Sequence, residues 1–592
     1  MSTFPHIVTI RPAIFAYRAY CPWLQPAGIL SIAAMLLRNN YQVTFLDFMG
    51  YGKKIPTVKV VPPLVIRHYR RPYYRYGRSV KECHAMVKAL PAPPAVFFLT
   101  SGMTYWYPGV IEAVGILRKY FPKVPIVLGG TYPSLEPDHA RRSGVDIVSE
   151  GEGENNSVAI ASEITGLQST FSVNARDLDG YPYPAWHLVN KMYNREFRGA
   201  WLPLYSSRGC PFSCSYCASN TTYNFGFRQR SVLSVLDEID DCVGRLGVRG
   251  FAFNDDNLLV NRDNHIKPIL EGVIRREDKR KLQFNLPNST AANQYDPELA
   301  DLMFRAGFKR VIVSIEVLNP DDQAGLQRQS FSSDVDRAIG YLRDAGFAPR
   351  QIGVYILCGL PEQTRESVIE TVLYVWRAGG LPIPLTFTPI RGTPEWSRCE
   401  DLGLVDAETD PLELSKGIVA CQSDQLDYTD MIKVKMWANM IRGGVYNGVN
   451  IYSGDPLMTH ALEKIVQWES GGDVGTGDGS RVSATFAPGR SVSSRDVSPL
   501  KDGDGRAVRF GVHRDDHHVY SIGEVLSQVT GISLSTIKRF DDVLAPTRKN
   551  GKRCYSPAAV AAIRRVAKSK LSGKRGAALK NLLSDFLKGG GP

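Results

Sequence analysis

Three cysteines stand within eight residues of one another, in Arg208-Gly-Cys210-Pro-Phe-Ser-Cys214-Ser-Tyr-Cys217. The spacing CxxxCxxC on a glycine-containing loop supplies three thiolates, each able to hold one corner iron of a [4Fe–4S] cube, because thiolate is the ligand such clusters select. No fourth cysteine is nearby, so one iron is left for a substrate or cofactor to coordinate. A chance grouping and a zinc site compete with this reading. Zinc takes four ligands, usually as two pairs, and neither a second pair nor a neighbouring histidine is present. The other seven cysteines (Cys21, Cys83, Cys242, Cys358, Cys399, Cys421 and Cys554) stand alone in sequence. Without an export signal they are expected to be reduced.

The triplet needs a scaffold, and the pattern around it supplies one. From Trp201, β-rich runs (Leu202 to Ser206, Gly250 to Asn254, Gln283 to Leu286, Arg310 to Glu316, Gly353 to Leu357, Pro384 to Pro389) alternate with helical patterns. Six such repeats sharing one core predict a partial (β/α)6 barrel over residues 195–395. The cysteines then follow its first strand, at the strand ends where barrels build their sites. Before it, residues 1–155 alternate apolar strands (HIVTIR, QVTFLDF, AVFFLT, VPIVL, DIVS) with helical runs, which predicts a parallel, doubly covered, Rossmann-like sheet. Its glycines, Gly129-Gly130 and Gly151-Glu-Gly-Glu154, fall at strand ends, where such sheets meet ligands. The Arg- and Tyr-rich insert from Val58 to Lys81 interrupts the alternation as a solvated loop or a lid. A helical extension (396–470), a Gly/Ser/Asp-rich flexible linker (471–518), a small basic module (519–570) and a basic tail (571–592) complete the expected α/β organisation.

CxxxCxxC after a first strand, followed by this barrel pattern, resembles the radical S-adenosylmethionine enzymes. The resemblance implies that the open iron binds the amino and carboxylate groups of S-adenosylmethionine, which the reduced cluster cleaves to a 5′-deoxyadenosyl radical. It also assigns residues. Tyr216 takes the aromatic place against adenine, and Phe253-Asn-Asp255-Asp256 looks like the second-strand segment near the methionine moiety. Ser314-Ile-Glu316 looks like the polar contact to the nucleoside, and Gly353 belongs to the glycine-containing strand beside adenine. Adjacent strand residues point to opposite faces, so at most one of Asp255 and Asp256 faces the site.

The resemblance covers roughly residues 1–465, because the amino-terminal pattern is similar to the cobalamin-binding domain that precedes the barrel in one subclass. Gln25-Pro-Ala-Gly28, the run from Thr100 to Pro108, and Leu128-Gly129-Gly130-Thr-Tyr-Pro133 carry that match. Gly129 and Gly130 would permit close approach of a nucleotide tail. The DxHxxG motif that supplies histidine to cobalt is missing. Members without it include both cobalamin binders and domains that keep the fold without the cofactor, so both outcomes stand open at this point.

The net charge of +12 is unevenly placed: from His518 onward the chain carries 14 Lys+Arg against 4 Asp+Glu, leaving only +2 for the rest. The tail therefore reads as an appended module with an acidic partner. A helix from Ser521 to Gly531, a second from Ile532, and a hairpin tipped by Asn550-Gly551 resemble the winged helix–turn–helix of MerR-type regulators. By that resemblance Ser535, Thr536, Lys538 and Arg539 enter a DNA major groove, and Arg548, Lys549, Lys552 and Arg553 hold phosphates. The short, glycine-bounded end from Leu571 departs from the long dimerisation helix of that family.

These readings predict a cytoplasmic enzyme with no membrane span, a small-molecule or peptide substrate, and an electron donor such as flavodoxin or ferredoxin. If cobalamin binds, methyl transfer is the reaction that follows most naturally. The reading from another class is a DNA-binding regulator whose iron–sulfur barrel senses redox state or a ligand. His265, His460, His513 and His517-His518 have no partners at metal-ligating spacing and are expected to be core or solvated residues.

Overall fold

The computed structural model describes residues 4–17, 25–50, 55–193, 201–223, 225–276, 281–327 and 330–442, with strand residues 520–521, 547–549 and 552–555 farther on. The chain divides into two compact units, Met1–Arg481 and Val482–Pro592.

The amino-terminal sheet is parallel and five-stranded, in the order β3–β1–β6–β7–β8. Its strands are β1 (His6–Arg11), β3 (Gln42–Asp47), β6 (Val96–Thr100), β7 (Ile126–Gly129) and β8 (Ile147–Val148). Val96 to Leu99 and Ile126 to Leu128 are buried throughout, since helices cover both faces. The chain order reverses between β1 and β6, which opens a crevice beyond their carboxyl ends, where this topology places ligands. The basic insert is not a loop. Its β4 (Thr57–Val60) and β5 (Tyr73–Tyr76) join β2 (Ile14–Ala16) in a small antiparallel sheet. Alternation along Tyr73-Tyr-Arg75-Tyr buries Tyr73 and Arg75, and Arg75 binds Glu112 through 2.7–3.1 Å hydrogen bonds.

The second sheet is the expected open barrel: β9 (Trp201–Leu204), β12 (Gly250–Phe253), β13 (Gln283–Asn285), β15 (Phe308–Glu316), β16 (Ile352–Cys358) and β17 (Leu381–Thr386), parallel and neighbouring in chain order. Short β14 (Thr290–Ala291) joins β15 beyond a register shift at Phe284/Asn285. Phe251, Phe253, Phe284 and Phe308 stack at 5.5–6.0 Å in the core they share with Val235, Ile269 and Leu299 of the covering helices. One hydrophobic core runs from Ile7, Phe98 and Val127 of the first sheet through Leu202 and Phe251 of the second.

Helices begin where the sequence caps them. Asp296 accepts the Leu299 amide ahead of Pro297, Thr364 accepts that of Ser367, and Thr393 accepts that of Trp396. The expected helical extension is helical at Pro394–Asp401 and Tyr428–Arg442, and residues 402–427 between them run as turns. Asp406 and Asp410 accept nearby backbone amides there, a local competition that disfavours helix.

In the carboxyl-terminal unit, β18 (Tyr520–Ser521), β19 (Thr547–Lys549) and β20 (Lys552–Tyr555) form an antiparallel sheet in the order β18–β20–β19. The register sets Arg548 opposite Arg553 and Lys549 opposite Lys552. The two expected helices, with Ser535, Thr536, Lys538 and Arg539, lie outside the described residues, as does most of the linker and tail.

Candidate active site

The chain leaves β9 through Tyr205 and Ser206, forms β10 (Ser207–Arg208) against β11 (Arg228–Gln229), and turns into the cysteine loop at Gly209. Gly209 has φ +78°, and a Cβ there would meet the Gly226 carbonyl oxygen at 2.9 Å, so only glycine fits. Cys210 and Cys214 are half-buried, Cys217 is exposed, and none of the three is in a disulfide. Burial pushes the Cys210 thiol up to about 11, with Cys217, Cys214 and Asp256 adding to the shift. These groups therefore share one neighbourhood. Among the described residues no three His, Cys, Asp or Glu side chains converge on the volume of a single metal ion.

The loop is fastened from several directions. The Gly209 amide donates to Asp256 Oδ2 at 3.1 Å, and Ser219 donates to Asp256 Oδ1 at 3.2 Å. The Ser215 amide donates to the Leu326 carbonyl, its Oγ donates to Glu395 Oε1 at 2.9 Å, and the Glu395 amide donates back to the Ser215 carbonyl. Asp255 is fully buried and accepts from the Ser206 amide and from both the Ser206 and Ser207 hydroxyls at 2.6–3.0 Å. It thereby ties the end of β12 to the end of β9, while its neighbour Asp256 is the one that holds the cysteine loop.

Tyr216 and Glu316, assigned separately from sequence, come together: the Tyr216 hydroxyl donates to Glu316 Oε1 at 3.0 Å. Glu316 ends β15 with φ +62°, at a register irregularity between Ser314 and Glu316. A non-glycine residue held in this region is strained, and such strain is characteristic of ligand-facing positions. Gly353 does not join them. It stands at the amino end of β16, where a Cβ would meet Ile312 Cδ1 and Ile383 Cδ1 at 2.6 Å, and it serves close strand packing. His265 is a core residue, 3 % exposed.

The amino-terminal domain brings a second feature to the same region. A cavity of about 320 Å³ opens at the β1/β6 crevice, lined by Arg11, Thr100, Ser101, Trp106, Gly130 and the barrel's Tyr205 among others. Gly130, at φ +100°, forms part of its floor; a Cβ there would lie 2.7 Å from the Ser101 carbonyl oxygen. Trp106 lines this cavity, and its Nε1 is buried without a hydrogen-bond partner. Gly129, one residue earlier, ends β7 and does not line it.

Charged residues lock the two domains beside the cysteines. Glu152 accepts from Arg208 at 2.8 Å and from Arg228 at 2.5 Å, and Glu154 pairs with Arg208. The Arg208 guanidinium also lies 4.9 Å from the centre of the Tyr181 ring. Farther along, Arg391 binds Glu136 at 2.8 Å, and Tyr107 donates to Asp410. In Gly151-Glu-Gly-Glu154, where the expectation rests on the glycines, the two glutamates make the contacts with Arg208 and Arg228. The acids are the working part, and the signal was Arg208, directly ahead of the cysteine loop.

Comparison with known proteins fits this geometry. Residues 204–375 match the radical SAM superfamily. These residues are a radical SAM domain. Over 465 residues, 68 % of this chain and 83 % of its relative, the sequence is 29 % identical to cytidylyl-2-hydroxyethylphosphonate methyltransferase of Streptomyces wedmorensis. It is 25 % identical to the bacteriochlorophyllide d C-12(1)-methyltransferase of Chlorobaculum tepidum, over 47 % of this chain and 60 % of that one. The radical SAM methyltransferase TsrM from Kitasatospora setae, solved with cobalamin and a [4Fe–4S] cluster, superposes with a TM-score of 0.53 at 15 % identity, over 79 % of this chain and 99 % of TsrM. The cobalamin-dependent radical SAM enzyme OxsB gives 0.53 at 13 % identity, over 79 % of this chain and 71 % of OxsB. At these identities the structural likeness establishes a shared fold.

Proposed function

We propose that this protein is a radical SAM enzyme that transfers a methyl group with the help of a corrinoid. The observation that carries this reading is the meeting of its two sites at Tyr205, which lines the amino-terminal cavity and lies five residues before Cys210. The methyltransferase relatives support it. Cys210, Cys214 and Cys217 fit a [4Fe–4S] cluster as a donor set: three thiols outside any disulfide stand on one loop, and thiolate is the ligand such clusters select. The cavity, about 320 Å³ beyond the carboxyl ends of β1 and β6, lies where this topology takes ligands and would receive part of a corrinoid.

When bound, the cluster and corrinoid supply the electron and methyl-carrying chemistry. The chain's own residues position and enclose it. Tyr216 and Glu316 would offer a hydroxyl and a carboxylate at the nucleoside place, with the Glu316 backbone held at φ +62°. Asp255 and Asp256 hold the ends of β9 and β12 together, keeping the cysteines at the mouth of the barrel. The two arginine–glutamate locks keep the cavity facing the cysteine loop.

The test is anaerobic: reconstitute the full chain, record its spectrum with and without added cobalamin, and assay S-adenosylmethionine turnover alongside a Cys210/Cys214/Cys217→Ala variant. Cluster-dependent turnover with a retained corrinoid band is expected from the wild type alone. A cluster that never turns over S-adenosylmethionine would overturn the enzyme in favour of a redox or ligand sensor. Repeating the assay with flavodoxin or ferredoxin as the reductant tests which serves as electron donor. A small molecule or peptide is the substrate class, and the reducing cytoplasm is the place such thiols persist. No helix among the described residues is long and apolar enough to cross a membrane.

For residues 519–570 we propose DNA binding. The hairpin register favours it, because like charges directly opposite one another are destabilising until an anion lies across them. Binding of the full chain to a labelled duplex should weaken steeply with salt and fall in a Lys552→Ala/Arg553→Ala variant. Salt-insensitive binding, or none, would discard this role.

A further inference from the structure

Cys399 and Cys421, isolated in sequence, are neighbours in space: their Sγ atoms lie 3.5 Å apart across 22 residues of chain. Cys399 is 0 % and Cys421 4 % exposed, in an apolar pocket with Trp396, Val405 and Leu414, and the Tyr216 ring packs on the same cluster. Cys399 belongs to the helix Pro394–Asp401, whose first turn carries Glu395. Glu395 holds the backbone and hydroxyl of Ser215, midway between two cysteines of the loop. The thiol pair therefore sits in the wall that backs the cysteine loop and Tyr216. The proton shared from Cys421 draws the Cys399 thiol down, and the Arg398 guanidinium acts in the same direction. The sulfurs need to approach by only about 1.5 Å to reach bonding distance.

We propose that Cys399 and Cys421 form a peroxide-sensitive dithiol that closes to a disulfide and pins this wall. The Cys399 thiolate attacks one oxygen of hydrogen peroxide, the O–O bond breaks, and a sulfenic acid and one water form. The Cys421 sulfur then displaces the sulfenic oxygen, which leaves as a second water, and the S–S bond closes. Two electrons pass from the sulfurs to the peroxide, and the two thiol protons complete the waters. The bond would tie the helix Pro394–Asp401 to residue 421 and fix the support of Ser215 and Tyr216. This inference stands on the thiol geometry and is independent of the methyl-transfer reading.

The experiment treats the reconstituted full chain with one to two equivalents of hydrogen peroxide, blocks remaining thiols with N-ethylmaleimide, and digests with trypsin without reductant. Cleavage after Arg398, Lys416 and Lys433 separates the partners into peptides 399–416 and 417–433. The expected product is these two peptides joined, released by dithiothreitol and absent from Cys399→Ser and Cys421→Ser. The oxidised wild type should also melt roughly 5 °C higher than the reduced protein, a shift that the variants lose. Should serine in this apolar pocket prevent folding, Cys421→Ala gives a second test, because Cys399 then stops as a sulfenic acid that dimedone labels. Recovery of both peptides singly alkylated while the loop cysteines are oxidised would overturn the proposal. So would cross-links of either thiol to Cys210, Cys214 or Cys217 in place of the pair.

Discussion

Two glycine turns face the candidate site, Gly130 after β7 and Gly209 after β10, with φ of +100° and +78°. Both permit close backbone contact, but in different settings. At Gly130 the missing side chain lets the cavity wall close: a Cβ would lie 2.7 Å from the Ser101 carbonyl oxygen and 3.0 Å from Thr100 Oγ1. At Gly209 it permits contact: the turn presses on the Gly226 carbonyl, gives its amide to Asp256, and follows an arginine clamped by two glutamates. Gly130 shapes the wall of a cavity, whereas the loop that must hold three thiols is fastened by polar anchors. The two halves should therefore fail differently when altered.

The largest effect should come from Cys214→Ala, which should reduce cluster iron and deoxyadenosine formation to under about a hundredth of wild type. Corrinoid binding, read by absorbance, should survive; its simultaneous loss would show that the halves are not separable. Next is Glu152→Gln, which strips half the counter-charge from two arginines at the domain junction. Breaking a buried pair of this kind costs about 3–5 kcal/mol, measurable by denaturant unfolding, and iron loading should suffer as the junction loosens. An unchanged midpoint would mean that the lock is ornamental.

A pH effect of similar size belongs to the cysteine side. Burial draws His265, close to Ser206 and Arg230, down to about 4 from its ordinary 6.5. The unfolded chain takes up this proton first, so the stability held above pH 6.5 is lost as pH falls from 6.5 toward 4. The full loss is on the order of 3 kcal/mol. His265→Leu should flatten that part of the stability profile, and an identical slope in the variant would assign it to other groups.

Gly130→Ala and Gly209→Ala form the reciprocal pair, each costing about 2 kcal/mol for a side chain at positive φ. The first should lose corrinoid and keep iron; the second should lose iron and keep corrinoid. Either variant losing both would erase the distinction drawn between the turns. Smallest is Tyr216→Phe, which removes one hydrogen bond to Glu316 worth about 1 kcal/mol. The Kd for S-adenosylmethionine should rise roughly fivefold with iron content unchanged.

Much of this was legible in the chain itself. The cysteine spacing, the six strand–helix repeats and the glycines closing β7 are local patterns, and ligand type, periodicity and backbone freedom are local properties. The barrel strands accordingly stand near where the pattern put them. What the sequence could not decide was partnership between distant residues. It offered Asp255 and Asp256 as alternatives, and packing gave each a separate role. It placed Gly353 beside a ligand by resemblance, and its position at the amino end of β16 put it among isoleucines. It read Glu152 and Glu154 as part of a glycine motif, and only the meeting of two domains set them against Arg208 and Arg228. It left Cys399 and Cys421 alone, and the fold brought their sulfurs to 3.5 Å. Local chemistry is written residue by residue, whereas charge pairing and thiol proximity depend on which surfaces a shared core brings together, and that is settled only when the chain has closed.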